Sequence, residues 1–531
     1  MEYLCPLRMH TVRVVDAAPA VTAGTLALVA IVLGWRGADW PAQLLRYELV
    51  ERHGAVVWNN LWFAGHHTVG YGIVFPVLAA AVGVAVVAVA SCVVAAGSFR
   101  ALAVGPARWR VTAASLAFAA GTVVNVAVGR LTFALGLAIG MAALAALRRH
   151  HDRLACLLVV LTAPASPVAG VMLALALASW AWCTRRPRLV VLASLAIAPV
   201  VAATLWFPQG GRFPFRAGAL GWSLCVAAVL ALVTTARVVR VGAVLYALAC
   251  VATFIVPNPL GANATRLGMF LGAPLLVLTA RRPRSPVVVI ALPAIVWWQW
   301  SPAIDGITRA GLDPSSTAAY HEPLVSAVRS LGGEVGRIEV VPTQRHWETV
   351  YVASDLPLAR GWERQLDMGR NDALYGASLD ADTYHRWLLD NAVRFVALAD
   401  VAVDPSAQLE AELVHDGLPF LEPVWQDEHW RLWRVIDAEP IVSGPARLVR
   451  LDPTTVVLDV ATDDPVLVRI RYSSHFSLDR PGCVLPAPDG WTVVDVELPG
   501  VVTMSAVLAR SLPVIGPLDD CAPHGDDDAS S

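Results

Sequence analysis

Long apolar runs separated by short polar breaks fill the first 302 residues, and the texture then changes. The runs lie at roughly 17–35, 69–97, 111–128, 130–147, 154–182, 188–206, 217–235, 241–257, 264–280 and 286–302. Most reach the ~20 residues that a helix needs to cross a bilayer. The run 154–182 is long for one crossing, and Pro164-Ala-Ser-Pro167 interrupts it. That interruption predicts a helical hairpin bent at the prolines. From His321 to about Val442, helix-like segments (EPLVSAVRSL, TYHRWLLDNA) alternate with strand-like ones (GRIEVVP, VRFVALA, HWRLWRVI), the order of an α/β or α+β domain. From about Pro445, short alternating strands separated by Gly, Pro and Asp turns predict a β-sandwich. The expected division is a transmembrane domain over 1–302 with a first outer loop at 36–68, an α/β-type domain over 303–442, a β-sandwich over 443–516 and a disordered tail over 517–531. Within the α/β part, LPLARGWERQLDMGRNDALYG reads as a polar loop outside the core, free to fold over the mouth of the helical domain.

Charge placement orients the runs. The chain is 56% hydrophobic and 15% charged, with 42 acidic residues and no lysine. Only Glu2, Asp16, Asp39, Glu48, Glu51 and Asp152 precede residue 303 among the acids. Arginines cluster at 100–110, 148–153, 185–188, 237–240 and 281–284. By the positive-inside rule, all five clusters are cytoplasmic if the N-terminus is inside and 154–182 crosses twice. Eleven crossings follow, in a bacterial plasma membrane, with the C-terminal region extracytoplasmic. Asp39, Glu48 and Glu51 then become the only outer carboxylates of the helical domain, facing Arg130, Arg212, Arg216 and Arg266.

The first outer loop is the densest stretch of chemistry. Asp39 sits before Trp40 and Pro41, which open an amphipathic run to His53 that Gly54 stops. Those residues suit a helix start and end. Leu44, Leu45, Leu49 and Val50 share one face, which predicts a helix lying in the membrane interface. Arg36 precedes this helix and Glu48 lies on it, and Trp62, His66 and His67 follow in WNNLWFAGHHTVGY. Arginine suits planar recognition of phosphate, so a phosphate-bearing ligand at the outer face is the plainest chemical reading. Asp39 either caps its helix or serves as a base; both readings stand on local signals.

No Walker loop, dinucleotide fingerprint, CxxC or zinc signature is present, so a divalent metal has no motif and nucleic acid is not a partner. Six of the eight cysteines lie in or near the apolar runs; Cys483 and Cys521 lie in the exported part, whose compartment permits a disulfide.

An Asp just after the first helix, an interfacial helix and then WNNLWFAGHHTVGYGIVFP resemble the GT-C-fold glycosyltransferases. ASPVAG and NPLGANATR look like features of actinobacterial members and of YfhO-like membrane proteins, and RIRYSSHF with GWTVVDVELPG is similar to the β-sandwich of the latter. The resemblance implies a polyprenyl-phosphate-linked sugar as donor, an envelope glycan or glycolipid as acceptor, and Asp39 as general base. Many such loops carry a second acid beside the first, whereas here Asp39 stands alone after Gly37-Ala38. The expected site is therefore Asp39 for catalysis, with Arg36, Glu48, Trp62, His66, His67, Arg130, Arg212, Arg216 and Arg266 for substrate. Two other readings are compatible: a transporter or flippase of a lipid-linked envelope component, and a non-catalytic scaffold of the same fold. Charges are nearly absent within the crossings, which disfavours the transporter.

Overall fold

A computed structural model describes residues 14–333, 336–376 and 379–506. The chain divides into two compact units, one comprising residues 1–43 and 70–312, the other 44–69 and 313–531.

The first unit is helical. Its elements are α1 (Val14–Val32), the first turn of α2 (Trp40–His53), α3 (Val74–Val82), α4 (Val84–Leu102), α5 (Arg108–Val128), α6 (Leu131–Arg148), α7 (Asp152–Ala165), α8 (Pro167–Thr184), α9 (Pro187–Trp206), α10 (Ala217–Val233), α11 (Arg237–Ile255), α12 (Arg266–Thr279) and α13 (Pro286–Thr308). Among the described residues, eight helical spans are long and apolar enough to cross a membrane, and two shorter apolar helices, Asp16–Val32 and Ala217–Val233, accompany them. The expected eleven crossings therefore exceed what helix length alone supports. Gly83, at φ 94°, splits the run 69–97 into α3, only 9 residues long, and α4. The run 154–182 breaks at Ser166 into α7 of 14 residues and α8 of 18. At 1.5 Å per residue, 14 residues fall short of a ~30 Å hydrocarbon core. Backbone at the break is satisfied within the unit: Ile73 N–H donates to the Pro164 carbonyl at 2.9 Å, and Ser166 Oγ accepts from Ala169 N–H at 3.4 Å. Helix α5 is central, packing against α1, α4, α12 and α13.

The second unit is mixed. It takes residues 44–53 of α2 and the short hairpin β1 (Trp58–Asn59) and β2 (His66–His67) from the first outer loop. After α14 (Ala318–Leu331), β3 (Arg337–Val340), α15 (Glu348–Tyr351), α16 (Arg364–Arg370), α17 (Ala381–Asp390), β4 (Val393–Ala399), α18 (Gln408–Asp416), β5 (Leu421–Gln426) and β6 (Trp430–Val435) follow in order. They build a sheet in the order β3-β4-β6-β5. The β3–β4 pair is parallel, and the other two are antiparallel. Residues 442–506 form β7 (Val442–Ser443), β8 (Ala446–Leu451), β9 (Thr455–Val460), β10 (Val466–Arg471), β11 (Phe476–Leu478), β12 (Gly482–Pro486), β13 (Trp491–Val496) and β14 (Gly500–Ala506). These make two four-stranded sheets, β12-β13-β10-β7 and β11-β14-β9-β8. Alternate residues of both sheets share one core: Val466, Val468 and Ile470 of the first, Val456, Leu458 and Val460 of the second. The period of two seen in the sequence is thus the inward face of each strand. Residues 517–531, and with them Cys521, lie outside the described residues; Cys483 is disulfide-bonded.

Residues 44–69, most of the loop expected in the helical domain, belong to the second unit. Trp58, Trp62 and Phe63 are almost fully buried. Asn60 N–H donates to the Pro453 carbonyl at 2.7 Å, Leu358 N–H to Leu61 at 2.8 Å, and Arg471 N–H to Ala64 at 2.8 Å. On α2, Arg46 is buried within the protein, 5% exposed, beside Leu45 and Leu49. Gly361 packs directly on the Trp62 ring, where an added Cβ would sit 2.3 Å from Trp62 Cγ. Gly361→Ala is expected to destabilise the second unit by about 1–3 kcal/mol, as overpacking of a filled core does. Urea unfolding followed by tryptophan fluorescence checks this, and an unchanged midpoint contradicts it.

Candidate functional site

In the first unit the site is built where α5 ends. The last carbonyls of a helix lack intrahelical partners, and the segment after α1 supplies them. Gly37 N–H donates to Ala127 at 2.8 Å, Asp39 N–H to Val128 at 3.0 Å, and Trp40 Nε1–H to Val126 at 2.7 Å. Gly129 closes α5 in the left-handed region, at φ 95°, which favours glycine. A Cβ there would also lie 2.2 Å from Trp40 N. This close approach fixes Asp39 beside Arg130, the residue before α6. Arg130 Nε donates to Asp39 Oδ2 at 3.3 Å. The two side chains are 18% and 25% exposed, Arg130 the lower. Among the described residues, the hydrogen bond to the Asp39 carboxylate comes from this arginine and not from the backbone of α2.

Arg266 joins them. It opens α12 after a 3-10 turn over Gly261–Thr265, and its guanidinium lies 5.0 Å from the ring of Phe133 in the first turn of α6. Its charge is within electrostatic reach of Arg130, Tyr71 and Asp39. Arg130 Nη1 is buried with no acceptor among the described residues. Two guanidinium groups thus meet at two helix N-termini, where anions are favoured, with one carboxylate alongside.

The other expected substrate residues are not brought to Asp39 in this way. Arg36 is exposed, with its guanidinium 5.7 Å from the Trp40 ring. Arg212 and Arg216 are exposed and carry no ion pair among the described residues. Their segment lies against the loop that leads to Arg266, Phe213 N–H donating to the Asn258 carbonyl at 3.0 Å.

Glu48, Trp62, His66 and His67 belong to the second unit. Glu48 pairs along its own helix with Arg52 at 3.7 Å; burial, offset by Arg52, raises its carboxyl above the ordinary value. Trp62 is fully buried and donates from Nε1 to the Thr349 carbonyl at 3.1 Å. His66 stacks on Trp62 with ring centroids 5.8 Å apart. Burial, with Arg370 and Arg46 nearby, holds His66 well below its ordinary value. Burial and the neighbouring His475 push His67 down to about 4. Both imidazoles are neutral at pH 7, so neither serves as a cation for phosphate.

The second unit holds a buried ionic network that sequence reasoning missed. Arg360, 5% exposed, donates to Asp367 at 2.7 Å and to Glu410 at 2.9 Å. Tyr375 and Asn371 also donate to Asp367. Burial opposes ionisation of Asp367, but the Arg360 charge prevails and holds it below the ordinary carboxylate range. Beside it, Arg364 donates to Asp404 at 2.6 Å, and His346 Nε2 lies 3.2 Å from the same carboxylate. Glu363 accepts from Arg46. The stretch 360–376, expected as a polar loop outside the core, therefore runs through the interior. Its signal was spacing: Arg364, Asp367 and Asn371 recur at intervals of three and four along α16 and its C-cap, while Arg360 lies before the helix. The cavity at this network measures about 10 Å³, the space of roughly one water. Its ion pairs tie the segment that carries Arg360 to β3 and α18.

Among the described residues, no group of three or more His, Cys, Asp or Glu side chains is arranged to hold a metal ion. No family model matches the chain, and no curated protein matches it.

Proposed function

We propose that the protein is a glycosyltransferase of GT-C type that uses a polyprenyl-phosphate-linked sugar at the extracytoplasmic face of a bacterial plasma membrane and acts on an envelope glycan or glycolipid. The observation that carries this reading is the Asp39–Arg130 pair with Arg266 beside it, at the end of an apolar helical unit. Phosphate held by Arg130 and Arg266 competes with Asp39 for the Arg130 guanidinium. One Asp39 oxygen is then free to accept the proton of an acceptor hydroxyl. The hydroxyl oxygen attacks the anomeric carbon, the bond from that carbon to the phosphate oxygen breaks, and the arginines stabilise the departing lipid phosphate. Inversion at the anomeric carbon follows from this single displacement. The eleven-crossing arrangement, with the N-terminus cytoplasmic, belongs to the same proposal, since it puts Asp39 on the outer side.

A lipid-phosphate-binding scaffold shares every element of this site except proton transfer at Asp39. The lone acid, already engaged by Arg130, is the observation that favours it. Anion binding itself is tested by Arg266→Gln. This change is expected to reduce retention of co-purified polyprenyl-phosphate lipid about tenfold, a loss typical of one charged hydrogen-bonding group. Lipid extraction and mass spectrometry of the purified protein measure it. Undiminished retention removes Arg266 from the site.

A further inference from the structure

Around Arg360 in the second unit, three buried acids, Glu339, Asp367 and Glu410, share one guanidinium. Glu339 sits in the middle of β3 between Ile338 and Val340 and is fully buried. Arg360 is the nearest cation, but it is committed elsewhere. Its Nη1 lies 2.9 Å from Glu410 and 3.7 Å from Glu339, while its Nε and Nη2 face Asp367. Neither Glu339 oxygen has a hydrogen-bond donor among the described residues. Glu410 faces the same Arg360 nitrogen as Glu339, so the two buried carboxyls are neighbours across one guanidinium Nη1. Two buried carboxylates that share one guanidinium nitrogen are costly to ionise together: burying an uncompensated charge is strongly unfavourable, and like charges at short range repel.

We propose that Glu339 and Glu410 hold one proton between them, and that this proton is a pH-sensitive clasp fastening α18 to β3 at the edge of the mixed sheet. This inference is independent of the transferase reading. It concerns a different unit and different residues.

The surroundings agree from every side. Arg360 and Asp367 face the pair from the 358–370 segment, and Tyr384 of α17 donates to Glu410 Oε1 at 3.1 Å. His346, Glu348 and Arg364 line the small cavity that Glu339 also borders. With one proton on the pair, the Arg360 charge is balanced by Asp367 and opposed by a single glutamate. Without it, two glutamates stand against the same guanidinium. Burial and then the Glu410 charge hold Glu339 well above the ordinary glutamate range, and burial raises Glu410 as well.

The sign of the pH dependence follows. An unfolded glutamate releases its proton near ~4.3, whereas the folded pair keeps one far above that. Between these two values the folded state binds one proton more than the unfolded state. Stability falls as pH rises through this window, with a limiting tenfold change in the opening equilibrium per pH unit.

Amide hydrogen exchange on the full chain in detergent tests the clasp. Opening constants for the amides of β3, α17 and α18 are measured between about pH 6 and pH 8, after correction for intrinsic exchange. In the unaltered protein the opening constant is expected to rise with pH. In Glu339→Gln, whose amide supplies a permanent donor to Glu410, the slope of its logarithm is expected to fall by close to one per pH unit. Other groups, including His346, contribute equally to both proteins and cancel in the comparison. Should Glu339→Gln fail to accumulate, Glu410→Gln removes the same proton and is expected to show the same loss of slope. Equal slopes in the unaltered protein and the folding variant overturn the proposal.

Discussion

Arg360→Met is expected to destabilise the second unit by about 3–5 kcal/mol, the usual effect of removing one partner from a buried ion pair. Methionine fills most of the volume, so a cavity contributes little. The loss comes from Asp367 and Glu410, which keep their burial and lose the guanidinium that both accept from. Asp367 still has Tyr375 and Asn371 as donors, whereas Glu410 keeps Tyr384, so Glu410 is the group that loses most. Urea unfolding of the purified chain, read at the tryptophans of the second unit, measures the change. Arg447→Met is the control, because the Arg447–Asp459 pair is exposed at both ends and exposed pairs contribute little. A shift for Arg360→Met no larger than the control contradicts a structural role for the network.

The helices were legible because each depends on its own composition. A run of about twenty apolar residues has few alternatives to a buried or lipid-facing helix. Where they stop was less visible. Gly83 and Ser166 break two runs, and only the second carried prolines to announce it. Strands with one inward face were legible by alternation, as in Val466, Val468 and Ile470. The short β11 and β12, and the half-exposed β5, lack that alternation and were missed.

The site was legible only in part. Asp39, Arg130 and Arg266 were expected as polar groups of one site, and the structure brings these three together. Arg212 and Arg216 have the same residue type in the same kind of loop, and nothing local distinguishes them. His66, His67 and Trp62 looked like a recognition surface because aromatic and polar residues crowd one loop. Their burial depends on residues about 300 to 400 positions away: Thr349 accepts from Trp62, Glu363 lies 3.7 Å from His66, and Ser473 lies 3.4 Å from His67. The 360–376 stretch misled for the opposite reason. Charged residues normally mark a solvated surface, and these are buried because they neutralise one another across α16, α18 and β3. A pairing of that kind has no local signature beyond the three-and-four spacing.

Asp39→Asn is expected to abolish measurable glycosyl transfer while leaving the fold in place. Asparagine is close in size and matches aspartate at a helix start. Gly37, Asp39 and Trp40 hold the end of α5 through backbone N–H groups and the Trp40 indole, which the substitution leaves untouched. Arg130 keeps an oxygen acceptor in the amide. What asparagine cannot do is take the acceptor's proton, a contribution of typically ~10²–10⁴-fold in rate. The ion pair also loses its negative partner, so anion binding by Arg130 and Arg266 is expected to hold or tighten. Loss of turnover with retained lipid phosphate is therefore the signature of a chemical role.

The most direct measurement is transfer from a polyprenyl-phosphate-linked sugar to envelope acceptor in membranes containing the unaltered protein or Asp39→Asn, matched for amount and thermal stability. The account predicts transfer with the first and a loss of at least about a hundredfold with the second, the variant retaining lipid phosphate at least as well as the unaltered protein. Transfer by Asp39→Asn at the unaltered rate would contradict it and leave Asp39 as a structural partner of Arg130.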